Sequence, residues 1–395
     1  MERVHLPRLR TAGAVIAVAG ALALTACSSH DTSGTGTGPS SSSPAARTST
    51  PAPTTSSAAP TSPPPSSSSS SSAVTPTAGF TGVDASFVGS DDAWVLGDVP
   101  CGSDRCTGLL YSTDGTKTWH GLPVPANQRL TGVRFATAQV GYLFGRSALY
   151  LTTDGGHTWA KQSGGADALE TLDGNVIRVS DPGGCPPGCR YRVSVAKVGS
   201  GDWQGVALPG PANGGDGVQL GRADGQAYLT SYGNPAGGAG NATSVLWTSA
   251  DDGAHWANQG EPCSQAGGHE VDSTMASTAP DGSLAVLCTV RGNSGTQFVE
   301  TSDIGAHHFQ AGAKDALGAA PVSAFGAASA QTVFVSSDQL YRSTDAGNSF
   351  HAVEQTRMRW IGFASPAVGH ALAADGTSLW STNDAGATWT RSTFS

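Results

Sequence analysis

Six of the seven cysteines, Cys101, Cys106, Cys185, Cys189, Cys263 and Cys288, sit in a glycine-rich region, two pairs of them in the short strings "CGSDRC" and "CPPGC". Cysteines at such spacings either close local disulfides in an oxidising compartment or present thiolates to a metal. Fifteen pairings of six cysteines are possible in principle. The short loops favour Cys101 with Cys106 and Cys185 with Cys189, leaving Cys263 with Cys288. Neither string has CxxC spacing, so disulfides are expected, with no metal and no cofactor.

Paired carboxylates at a fixed separation would hydrolyse glycosidic bonds. Asp167, Glu170, Asp216, Glu270 and Asp315 are of the right type, but no spacing singles out a pair. Arg129 and Arg134 in "RLTGVR", and Arg357 and Arg359 in "TRMRW" beside Trp360, can form a cationic group that holds a carboxylate, an acidic glycan or an acidic loop. Solvated arginines are the plainer reading. The histidines, among them His157, His255, His307 and His308, fall in turn-like strings rather than in metal-ligand clusters. No phosphate-cradling loop and no dinucleotide fingerprint is present.

The elements that must position these residues repeat. "STDGTKTW", "TTDGGHTW", "SADDGAHW", "STDAGNSF" and "TNDAGATW" share the frame Ser/Thr-x-Asp-x-Gly-x-x-aromatic, with Asp114 and Trp119, Asp154 and Trp159, Asp251 and Trp256, Asp345 and Phe350, and Asp384 and Trp389. A sixth string, "TSDIGAHHF", carries Asp303 and has its aromatic, Phe309, one place late. The Asp spacings are 40, 97, 52, 42 and 39 residues; the 97 spans two units, with "VGSGDWQG" around Trp203 as an eroded copy, so seven units are counted. Ahead of each string, short runs such as "ALYLTT" and "TVFVSS" alternate apolar and polar residues, which is strand periodicity. The Asp-x-Gly then reads as a hairpin turn: the carboxylate accepts backbone N–H groups, glycine supplies a positive φ, and the aromatic covers the turn.

These strings resemble the Asp-box, or BNR, repeat of sialidases, sortilin-type receptors, some glucan hydrolases and propellers like the photosystem II assembly factor, the last being most similar to "LTGVRFATAQVGYLFGRSALYLTTDGGHTW". The resemblance implies an all-β fold, a seven-bladed β-propeller of four-stranded blades, over residues 79–395, at about 45 residues per unit. It leaves function open, because one fold serves many activities. The Arg-Ile-Pro-like motif expected of a sialidase is missing before the first string, where Arg105 is the only arginine between Phe80 and Tyr111.

Residues 1–26 have Arg3, Arg8 and Arg10, then an apolar run from Ala12 to Leu24, the layout of an export signal. "LTAC", ending at Cys27, resembles the lipobox of bacterial lipoproteins, which implies cleavage before Cys27 and its acylation as a lipid anchor. Residues 27–78 then form a tether: 37 of the 51 residues from Ser28 to Ala78 are Ser, Thr or Pro, leaving almost no apolar side chain to drive ordering. Removing residues 1–26 takes away three Arg and one Glu and moves the formal charge from −9 to −11, which argues against nucleic acid as a partner.

The expected protein is a monomeric, non-catalytic lipoprotein on the extracytoplasmic face of a bacterial cell membrane. Its propeller binds a protein or a cell-surface glycan; the alternative is a glycoside hydrolase or a lectin derived from one. With strands numbered one to four from the channel outwards, the Asp turns join strands three and four. The second-to-third connections, long in units one, three and four ("GDVPCGSDRCTG", "SDPGGCPPGCR", "YGNPAGGAGNATS"), lie on the opposite face, where binding is expected.

Overall fold

The computed structural model describes residues 79–126, 128–181, 189–210, 213–214, 217–223, 225–232, 244–263, 271–290, 296–314, 316–318 and 320–394. Cys27, the tether and Cys185 lie outside them, as do Asp216, Glu270, Asp315 and the side chain of Cys189.

Alternation of apolar and polar residues makes strands of two to ten residues, and among the described residues these collect into seven antiparallel four-stranded sheets, the blades of the expected propeller, and one two-stranded sheet of Cys189–Arg190 with Asn213–Gly214. Blade 1 is Thr81–Val88, Asp92–Cys101, Asp104–Ser112 and His120–Leu122; blade 7 is Met358–Phe363, Gly369–Ala373, Ser378–Thr382 and Thr390–Thr393. The eroded third unit is a complete blade whose last two strands, Arg192–Lys197 and Gln204–Val206, flank the turn before Trp203. Among the described residues no helix is long and apolar enough to cross a membrane.

The core lies in the seams between blades rather than at one centre. Trp94 of blade 1 stacks on Phe135 of blade 2 with ring centroids 3.7 Å apart, and Phe334 of blade 6 on Phe363 of blade 7 at 4.9 Å. The aromatic of each Asp turn does more than cover its own turn. Trp159 donates through Nε1 to the Pro123 carbonyl on the preceding link (2.9 Å), and Trp389 packs edge-on against Phe334 of the preceding blade.

The turns work as their residue types require. Asp154 Oδ1 accepts from Thr158 N (2.8 Å) and Thr152 Oγ1 (2.7 Å), and Thr158 Oγ1 donates to Oδ2 (2.6 Å). The fourth residue after Asp, an unassigned place in the sequence frame, thus supplies a hydroxyl in four turns: Thr118, Thr158, Ser349 and Thr388. Hydrogen bonds from Ser349 and Thr388 hold the Asp345 and Asp384 carboxyls down at about 2. Two consecutive residues after Asp adopt positive φ, Gly155 and Gly156 in blade 2 and Gly115 and Thr116 in blade 1, so a glycine at either place relieves one of them.

In blade 5 the left-handed pair is Gly305 and Ala306, and Ser302 pairs with Phe309 in the sheet. The aromatic is therefore in its usual place, and Asp303 sits one position early, with Ile304 at the usual Asp position and 51% exposed. Asp303 Oδ1 still reaches two amides of the turn, His307 N at 3.0 Å and His308 N at 3.1 Å, as Asp114 Oδ1 reaches Lys117 N and Thr118 N at 3.0 Å.

The ring closes without an exchanged strand, since blade 1 comes wholly from the start of the domain and blade 7 wholly from its end. Phe394 meets Phe80 at 5.2 Å and Trp119 at 5.3 Å, and Gly82 N donates to the Gly376 carbonyl at 2.7 Å. At this seam His370 occupies the place that Trp94 and Phe334 fill elsewhere, stacked on Phe87 at 3.8 Å with Nδ1 3.0 Å from Ser381 Oγ.

Burial pushes the His370 imidazole down to about 4 from its ordinary 6.5. The unfolded chain therefore binds the proton first, and stability is fully present above 6.5 and lost as pH falls towards 4, by roughly 3 kcal/mol at full effect. His370→Phe is expected to abolish this part of the acid-side loss. Denaturant titrations at pH 7.5 and pH 5 check it, and an unchanged difference between the two pH values would refute the assignment.

Candidate functional site

The first strands of the blades wall the channel, and charges are set into one arc of that wall. In blade 1 the register slips between Gly82 and Asp84, and Asp84 Oδ2 accepts from Val133 N of blade 2 at 2.9 Å and from Arg134 Nη1 at 2.8 Å. Arg134 Nε reaches Glu170 Oε2 of blade 3 at 3.2 Å, and Arg222 Nε of blade 4 reaches Glu170 Oε1 at 3.4 Å. Four residues of alternating sign thus run across four consecutive blades. Burial raises the Asp84 carboxyl against the pull of Arg134; burial also opposes the charge of Arg134, but Asp84 and Glu170 together hold its pKa above the ordinary value.

Of the arginines expected from sequence to form a cationic group, Arg134 and Arg359 are both held against the first strand of blade 1. Arg134 is taken into the wall, with its side chain 23% exposed and ion-paired on two sides, because facing carboxylates on neighbouring blades compensate it. Arg359 is the bulged residue of its strand, where the register slips between Met358 and Trp360, and its Nη1 donates to the Gly82 carbonyl of blade 1 at 3.1 Å. Trp360 is half-buried beside Phe87 at 6.0 Å, while Arg129 and Arg357 are exposed. Asp84 and Arg222 went unnoticed in the sequence. Their signal is position, one charge on each of four successive first strands, and it is visible only once the strands are aligned.

The candidate hydrolytic carboxylates within the described residues are also engaged. Glu170 has its two arginines, while Asp167 Oδ1 accepts from Arg146 Nε at 3.0 Å and Oδ2 from Asp181 N at 2.7 Å. A cavity of about 170 Å³ opens near Arg222, with Thr137, Thr171 and Asp173 in its lining. Among the described residues no group of three or more His, Cys, Asp or Glu side chains can hold a metal ion.

On the opposite face, the second-to-third connection of blade 1 differs from the expected loop. Its strands continue to Cys101 and from Asp104, ten and nine residues long against five and five in blade 2, and the Cys101–Cys106 disulfide ties them together. Cross-strand pairing persists to the tip because only two residues make the turn. The extra length projects the hairpin by roughly 15 Å at the ordinary strand rise. Arg105 braces it, with Nη2 donating to the Asp98 carbonyl (2.9 Å), the Gly79 carbonyl (3.2 Å) and Thr81 Oγ1. The second inferred disulfide, Cys263–Cys288, joins the link leaving blade 4 to the second strand of blade 5.

No protein-family model and no curated protein sequence matches the chain. Solved structures do. YCF48 bound to a D1 peptide is 17% identical, with a TM-score of 0.54 over 79% of this chain and 96% of that one. YCF48 from Cyanidioschyzon merolae is 15% identical, with a TM-score of 0.53 over 79% and 99%. An ancestral GH74 enzyme is 13% identical, with a TM-score of 0.57 over 81% of this chain and 47% of that one. These likenesses carry the fold, a seven-bladed propeller.

Proposed function

We propose that the chain is a non-catalytic, lipid-anchored propeller of the bacterial cell envelope, and that it binds a segment of another protein on the face bearing the second-to-third hairpins. The observation that carries this reading is the blade 1 hairpin, a projecting ridge stiffened by a disulfide and by Arg105. Rigid projections cost little ordering entropy on association, which is the use of a preorganised binding element. The engagement of Asp167 and Glu170 by arginines supports the non-catalytic half. YCF48, a propeller of like fold, is bound to a peptide, which supports a protein partner. In this account Cys27 carries the lipid, and residues 27–78 give the propeller reach.

A glycoside hydrolase is the second reading, favoured by the likeness to an ancestral GH74 enzyme. Incubation with soluble β-glucans and sialylated glycans separates the two. No release of reducing ends or free sialic acid is expected, and release that Glu170→Gln abolishes would put the hydrolase first. For the anchor, Cys27→Ser is expected to move the protein from the detergent phase to the aqueous phase. Unchanged partitioning would remove the lipid from the account.

A further inference from the structure

The third strand of each regular blade carries, two positions before the Ser or Thr that opens its Asp turn, a residue at one common place in the sheet, which packs against the preceding blade in blades 1, 2, 4 and 7. By sheet register that residue is Leu110, Tyr150, Trp247, Tyr341 or Trp380 in blades 1, 2, 4, 6 and 7. In blade 5 it is Glu300. The glutamate is fully buried, with 0% exposure, and neither carboxylate oxygen has a hydrogen-bond partner. It lies on the same strand face as Phe298, in the seam where Leu246 of blade 4 packs with Cys263, Val286 and Cys288. A carboxylate in such a place requires compensation.

Two charges act on Glu300. Glu261, on the link leaving blade 4, opposes its ionisation, and Lys314 favours it with Nζ held 5.7 Å over the Phe298 ring. A proton fits this environment better than a metal ion. The walls are apolar, a cation would need several oxygen ligands, and the Lys314 ammonium repels it.

We propose that Glu300 makes the seam between blades 4 and 5 a proton-controlled joint: protonated, it packs as the apolar residues do at this place in other blades, and ionised, it favours opening of the seam. The Cys263–Cys288 bridge fastens the blade 4 link to blade 5, so opening is a bounded hinge movement rather than a separation. The inference rests on the fold and not on the binding reading. Burial, then the Glu261 charge, pushes the Glu300 carboxyl up from 4.5 to about 7. The closed state therefore holds the extra proton, and seam stability is greatest below 4.5 and is lost as pH rises to about 7. This is opposite in sign to the effect of His370 at the seam of blades 7 and 1.

Hydrogen exchange of the full chain from pH 5 to pH 8, corrected for intrinsic exchange and read in residues 257–263 and 297–302, tests the joint. The opening equilibrium is expected to rise about tenfold per pH unit up to about 7 and then to level off. Glu300→Leu, which supplies the residue found at position 110, should flatten the profile. Glu261→Gln should move the plateau to lower pH and Lys314→Gln to higher pH, and both keep Glu300 in place. A flat wild-type profile would overturn the proposal, as would a rise that survives in Glu300→Leu or a wild-type profile that calcium chloride flattens.

Discussion

Arg134→Met is expected to lower the stability of the propeller by about 3–5 kcal/mol, because it strands the Asp84 carboxylate and leaves Glu170 with Arg222 alone. The side chains of Asp84 and Glu170 are only 12% and 15% exposed, and Arg134 holds them from opposite sides at 2.8 and 3.2 Å. Met keeps most of the volume, so the loss reads charge rather than packing. Replacing all three together, with Asp84→Asn and Glu170→Gln added, should recover much of the loss, since removing a whole buried ion group costs far less than removing one member. Denaturant unfolding of the single and triple variants checks this. Equal stability of the two would show that the ion chain does not hold the channel wall.

The second large effect is at the closure. Phe394→Ala is expected to cost about 3–5 kcal/mol, as for a buried phenyl whose cavity cannot collapse. Phe394 is 5% exposed, and it packs edge-on against both Phe80 and Trp119, tying the end of the domain to its beginning. No strand crosses this seam, so apolar packing and a few bonds, among them Ser392 Oγ to the Thr116 carbonyl at 2.6 Å, must keep the ring shut. Faster hydrogen exchange in blades 1 and 7 ahead of the other blades should accompany the loss. A change below about 1 kcal/mol with uniform exchange would mean that closure does not depend on this cluster.

The architecture was legible because its signal is local and recurs: each Asp turn is fixed by its own hydroxyls, glycines and carboxylate, so the unit count survived erosion around Trp203. The Cys101–Cys106 bridge was legible by proximity, and Cys263–Cys288 only as the pair that remained. What was hidden depends on register between blades. Arg134 reads as a surface cation in "RLTGVR" until Asp84 and Glu170, 50 and 36 residues away, are placed beside it. Asp303 reads as correctly placed and Phe309 as late until sheet pairing reverses the two assignments. The string "GDVPCGSDRCTG" reads as a loop because Gly, Asp and Pro dominate it, yet the disulfide and cross-strand bonds keep it extended. Glu300 stands out only against its structural counterparts.

The most direct measurement for the binding account is photo-crosslinking on intact cells, with the reactive group placed at Ser103, Asp338 and Thr377 on the hairpin face and at Lys117 on the face of the Asp turns; all four are exposed. The account predicts one recurrent protein adduct from the hairpin face, identified by mass spectrometry, and none from Lys117. Polysaccharide alone at those positions, or the same protein captured equally from Lys117, would contradict it.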